Sequence, residues 1–164
     1  MSPFHDGPSS SSLAIQVGEV APDFTLPDQH RQPVTLSDYR GKKNVLLVFY
    51  PWAFTPVCGT ELFAIRDALP TLHNDDVAVL TVSVDSVFTH RVWAERDGFG
   101  FPLLSDFWPH GGVAQAYGVF NEQAGAALRG TFIIDTMGIV RWQVVNDIPD
   151  ARDLETYQSV LATL

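Results

Sequence analysis

NVLLVFYPWAFTPVCGTELFAIRDALPTL, residues 44–72, changes its apolar rhythm halfway along. Its first part, NVLLVFYP (44–51), is a continuous run of branched and aromatic residues, which suits a strand buried on both faces in a helix-covered sheet. From Pro56 onward, Leu62, Ile65, Leu69 and Leu72 recur at spacings of three and four, which predicts a helix to about Leu72. Pro70 is expected to bend that helix or end it early. Strand passes to helix across PWAFTPV, and the only cysteine of the chain, Cys58, lies just beyond.

The rest of the chain repeats this alternation. Upstream, APDFTLPDQHRQPVTLSDYRG (21–41) reads as two short strands joined by a polar turn, then a helical turn near Leu36 to Tyr39. Downstream, VAVLTVSVD (77–85) is a second buried strand. SVFTHRVWAERDG (86–98) is a helix capped by Ser86 and closed by Gly98. FPLLSD (101–106) reads as a short strand, and VAQAYGVF (113–120) as a short helix followed by an extended piece. TFIID (131–135) and IVRWQVV (139–145) form a hairpin about the turn TMG, and a helix with one polar face runs from about Ala151 to Leu161. This order predicts an α/β fold. Helical crossovers make parallel strands and the hairpin adds antiparallel ones, so a thioredoxin-like architecture is expected: a central mixed β-sheet flanked by helices, with an N-terminal β-hairpin. A flavodoxin-like, all-parallel sheet is the alternative, and the hairpin at 131–145 counts against it. Residues 1–14, rich in serine and proline, read as a flexible tail, and 15–164 as a single domain.

Composition removes several functions. Of 164 residues, 46% are hydrophobic and 18% charged, as expected of a folded chain with a substantial core. Ten basic against nineteen acidic residues leave a net charge of −9, which argues against nucleic acid or an anionic membrane as the main partner. A single cysteine excludes a disulfide framework and any Cys-x-x-Cys site, and the five histidines show no ligand spacing, so neither metal nor cofactor is expected. The opening residues lack the charge and apolar run of a signal peptide, and a cytoplasmic location is expected.

A lone cysteine is ordinarily a small buried hydrophobe. The position of Cys58 suggests more. With Thr55 at the N-cap and Pro56 at the first helical position, Cys58 falls in the first turn, where backbone N–H groups are unpaired and the helix dipole is positive. A free thiol of pKa ~8.5 is only about 3% ionised at pH 7, and one of pKa ~6 about 90%. That difference corresponds to ~3.4 kcal/mol, of which a helix terminus supplies at most ~2. A cation or added hydrogen bonds must supply the rest. Eight arginines are available, and spacing does not choose among them.

The octapeptide PWAFTPVC (51–58) matches the Pro-x-x-x-Thr-x-x-Cys signature of the peroxiredoxins. APDFTL (21–26), LSDYRGKKNVLLVFYP (36–51), FPLLSD (101–106), AYGV (116–119) and RGTFIID (129–135) resemble peroxiredoxin segments in the same order, over nearly the whole of residues 15–164. NVLLVF, FPLLSDFWPHG and AYGVFNEQAG are most similar to the one-cysteine branch, alkyl hydroperoxide reductase E, within the AhpC/TSA family. The resemblance implies a thiol-dependent peroxidase without cofactor. Cys58 would be the peroxidatic cysteine, oxidised to a sulfenic acid by hydrogen peroxide, an organic hydroperoxide or peroxynitrite. Thr55 would orient the peroxide, Pro51 would shield the thiolate, and Arg129 would be the required cation. It further implies a homodimer, and recycling by a low-molecular-weight thiol of mycothiol type with a glutaredoxin-, mycoredoxin- or thioredoxin-like protein.

Plainer readings stand beside these. Thr55 suits a simple helix cap, Pro51 a strand end, and Arg129 one surface arginine among eight. Glu61 reads as a solvated acid near the helix start, and His110, in the loop SDFWPHGG (105–112), as surface. Trp52, Phe54, Phe107 and Trp108 suit either core packing or an aromatic collar at a dimer interface. A non-catalytic peroxide sensor, whose Cys58 oxidation alters partner binding, is the alternative to an enzyme.

Overall fold

A computed structural model describes residues 14–164. The expected tail therefore lies almost wholly outside the described residues. The elements, in order, are β1 (Thr25–Pro27), β2 (Pro33–Thr35), a 3-10 turn (Leu36–Tyr39), β3 (Asn44–Phe49), α1 (Pro56–Leu72), β4 (Val77–Ser83), α2 (Val87–Asp97) and β5 (Leu103–Ser105). There follow α3 (Gly112–Ala116), β6 (Phe120–Asn121), β7 (Ala126–Ala127), β8 (Arg129–Ile134), β9 (Val140–Asn146) and α4 (Leu154–Leu161).

Five strands form the main sheet in the order β5-β4-β3-β8-β9. β3 pairs in parallel with β4 and β4 with β5, whereas β8 runs antiparallel to both β3 and β9. The sheet is mixed because α1 and α2 carry the chain back between parallel neighbours, while β8 and β9 are joined by a tight turn. β1 and β2 pair as the N-terminal hairpin, and β6 with β7 form a further small one inside the extended piece after α3.

β3 shows why the apolar run was needed. Val45, Leu47 and Phe49 point to one core, with Phe24, Leu36, Ala114 and Tyr117. Leu46, Val48 and Tyr50 point to the other, with Leu62 and Ile65 of α1, Trp93 of α2 and Tyr157 of α4. Alternate residues serve opposite faces and both faces are covered, so no polar residue is tolerated between Val45 and Tyr50.

Two helices depart from the sequence reading. α1 continues through Pro70 to Leu72, because Leu72 is buried in the core and its packing offsets the single hydrogen bond that proline removes. α4 starts at Leu154 rather than near Ala151, capped by Asp153, whose side chain accepts from Glu155 N–H. Residues 151–153 stay outside the helix because Arg152 is used elsewhere.

Candidate active site

β3 ends beside β8, so the turn 50–55 and the first turn of α1 meet the start of β8. Cys58 is the third residue of α1, after Pro56 at the first position. Its side chain is wholly buried. Arg129, at the first position of β8 and only 2% exposed, brings Nη1 to 3.3 Å from Cys58 Sγ. Of the eight arginines this is the one on the sulfur. Its neighbour Gly130 must be small, since a Cβ there would meet Val119 Cγ1 at 2.9 Å and push the strand that carries Arg129.

Arg129 is itself held. Its Nε donates to Ile148 O and its Nη1 to Glu61 Oε1 at 2.6 Å. Glu61 is buried, one turn along α1 from Cys58, and is not the solvated acid expected from the sequence. Its other partner is Arg152, which donates to Oε2 from Nε at 2.7 Å and from its backbone N–H at 2.8 Å, and to Oε1 from Nη2 at 3.0 Å. Arg152 Nη1 also reaches Gly130 O at 2.9 Å and Thr131 Oγ1 at 3.1 Å. Burial alone pushes the Glu61 pKa up, but the hydrogen bonds and charge of Arg152, with the charge of Arg129, hold it below the usual carboxylate range.

The charge balance follows from these contacts. Two guanidinium groups and one carboxylate leave one positive charge buried within contact of a thiol. A buried unpaired charge is costly, and a thiolate on Cys58 would complete the set as two cations and two anions. Arg152 carried no signal in the sequence. It lies 91 residues from Glu61, where the sequence reads as the start of a polar-faced helix.

Thr55 sits at the N-cap position but does not cap. Its hydroxyl donates to Trp52 O at 2.8 Å, inside the turn, rather than accepting from a helical amide. The cap reading of its side chain is corrected accordingly. The backbone carbonyl of Thr55 accepts from Gly59 N–H at 2.8 Å and so starts α1. Pro51 is buried, Trp52 half-buried and Phe54 exposed; Phe107 and Trp108, at 54% and 81%, are open to solvent. His110 Nε2 bonds to Gly125 O at 2.7 Å and its ring packs on Phe120, so it ties two loops together.

Comparison with known proteins places the chain in a family. The AhpC/TSA family pattern matches residues 17–143. Alkyl hydroperoxide reductase E of Mycobacterium tuberculosis is 57% identical over 150 residues, which cover 92% of this chain and 98% of that protein. The thioredoxin-dependent peroxide reductase of Drosophila melanogaster mitochondria is 42% identical, covering 87% of this chain and 64% of its own length. The crystal structure of reduced 2-Cys peroxiredoxin from Plasmodium vivax superposes with a TM-score of 0.80 at 32% identity, over 90% of this chain and 81% of that one. With a family pattern matched over residues 17–143, and relatives this similar over nearly its whole length, the chain belongs to the AhpC/TSA family and is a peroxiredoxin, a thiol-dependent peroxidase.

Proposed function

We propose that this peroxidase works through Cys58 as a one-cysteine enzyme, with hydrogen peroxide and organic hydroperoxides as substrates and peroxynitrite as a further one. The observation that carries the reading is the contact of Arg129 Nη1 with the buried Sγ at 3.3 Å. In the reaction the Cys58 thiolate attacks the terminal oxygen of the peroxide. The S–O bond forms as the O–O bond breaks, and the leaving oxygen departs as water or an alcohol after taking a proton. Sulfur ends as a sulfenic acid, oxidised by two electrons. Arg129 offsets the charge of the thiolate and of the breaking O–O bond in a site with little water. Thr55 and Pro51 act as the walls of the peroxide path.

The cycle closes outside the chain. There is no second cysteine, so the sulfenic acid must meet an external thiol. The route we favour is a mixed disulfide with a mycothiol-like small thiol, which expels water, followed by exchange with a glutaredoxin-, mycoredoxin- or thioredoxin-like protein. Joining two Cys58 sulfurs would bring them to ~2 Å, which complete burial of both opposes. We place the enzyme in the cytoplasm as a homodimer. Exposed Phe107 and Trp108 support assembly, and sedimentation tests it.

Steady-state peroxide consumption with a panel of thiol donors is the experiment. Many turnovers per chain are expected with at least one small thiol or redoxin. A single turnover per chain with every donor would support the sensor instead.

A further inference from the structure

A second polar cluster holds the turn that leads to Cys58. Phe54 has φ 64, a left-handed backbone that a bulky aromatic residue adopts only under restraint. Contacts from the segment after β4 and from α2 supply the restraint. The N–H of Ala53 donates to Asp85 Oδ2 at 2.8 Å. The Phe54 ring packs on Trp93 of α2, with centroids 5.6 Å apart, and Arg96 Cζ stands 4.7 Å over it. Asp85 is held in turn: the Ser83 hydroxyl donates to the same oxygen at 2.6 Å. With that proton committed, Ser83 Oγ accepts in its other contacts, from Asp85 N–H at 3.4 Å and from Nε2 of the fully buried His90 at 2.6 Å, so His90 donates. Nε2 also lies 3.0 Å from Tyr50 Oη, at the end of β3. A chain of hydrogen bonds thus runs from His90 through Ser83 to Asp85 and meets the backbone two residues before Thr55. None of these groups touches Cys58 Sγ by hydrogen bond, and none has a part in the chemistry described above.

We propose that Asp85 is a positioning residue for peroxide reduction: its carboxylate, oriented by Ser83 and His90, clamps Ala53 N–H and keeps the strained Phe54 turn closed, so that Thr55 and Pro51 stay set against the sulfur. The assignment rests on the reading of Cys58 as the peroxidatic thiol. Misplacing a substrate-positioning group by about 1 Å costs a reaction up to about 100-fold.

The test measures two rates on the full chain, oxidation of Cys58 by hydrogen peroxide and its alkylation by iodoacetamide, in wild type and in Asp85→Ala, Asp85→Asn and Ser83→Ala. Asp85→Ala should slow oxidation by about 10- to 100-fold without slowing alkylation, because alkylation needs the thiolate but not the peroxide-shaped turn. Asp85→Asn keeps an acceptor for Ala53 N–H and should restore most of the oxidation rate. Ser83→Ala, which leaves the carboxylate unoriented, should fall between them and serves alone if Asp85→Ala does not fold. Oxidation within about threefold of wild type in Asp85→Ala and Ser83→Ala, or a parallel fall in alkylation, would overturn the clamp. Failure of wild-type Cys58 to gain oxygen from peroxide would instead overturn the reading on which it rests.

Discussion

The two ends of β3 could hardly differ more. At its start, beside Asn44, lies a cleft of about 490 Å³ lined by Lys42, Thr71, Asn74, Asp76, Thr136 and Gln158. At its end lies a thiol with no exposed surface and, around it, two arginines and a glutamate packed against the sheet. The cleft has volume, and its lining sets one basic residue, Lys42, against one acidic residue, Asp76. The sulfur site holds one net positive charge away from water. A substrate of only a few atoms needs the second kind of place, because field strength in a dry site matters more for breaking an O–O bond than room does.

Substitution at each end should separate them. Cys58→Ser should abolish peroxide reduction and leave the fold intact, since a hydroxyl of similar size is not ionised at neutral pH. Near-native activity in that variant, measured by peroxide consumption, would move the chemistry elsewhere. Arg129→Ala should slow Cys58 oxidation by about 100-fold or more, with Arg141→Ala on the same hairpin as an unaffected control. Equal stopped-flow rates for both variants would mean that Arg129 is only structural.

Glu61→Gln tests the other half of the charge set. It leaves two guanidinium groups facing each other without their carboxylate, which should cost about 3–5 kcal/mol and lower Tm by about 10 °C. A Tm unchanged in calorimetry would show that the cluster is not paired as described.

How much of this could be read beforehand depends on distance along the chain. α1 was legible because its apolar residues repeat at the helical period, β3 because an unbroken apolar run suits a strand buried on both faces, and Ser86 caps α2 as its place before the helix suggests. Cys58 was legible as a helix-start thiol. Arg129 was not, except through family likeness, because a partner 71 residues away leaves no local pattern. Glu61 was misread because an acid on the face that returns to β8 looks, in sequence, like one facing water. Arg152 was missed for both reasons, and holding it on Glu61 keeps residues 151–153 out of α4.

Acid provides a subtler contrast. His90 lies next to Tyr50 at the sulfur end of β3, and burial lowers its pKa to about 4 from the ordinary value of 6.5, against the opposing charge of Asp85. A histidine kept neutral by folding takes up protons more readily when unfolded. Its contribution is therefore complete above pH 6.5 and lost as pH falls toward 4, to the extent of about 3 kcal/mol. Urea unfolding across that range should show the fall, and His90→Gln should flatten it. An equal slope in the variant would transfer the effect to the carboxylates. Glu61, whose pKa is lowered, adds its own loss only further down, as pH drops below about 4.3. At the far end, Lys42→Ala and Asn74→Ala in the cleft should change peroxide reduction by less than about twofold. A larger change would give the cleft a role.

Intact-mass spectrometry tests the central claim most directly, that the positive site exists for a thiolate that peroxide oxidises and an outside thiol restores. One equivalent of hydrogen peroxide should add one oxygen to the wild-type chain and none to Cys58→Ser. Added small thiol should then replace that oxygen with a single adduct, leaving monomers on a non-reducing gel. A chain that gains no oxygen, or one that forms a dominant Cys58–Cys58 dimer and no adduct with any small thiol, would contradict the account.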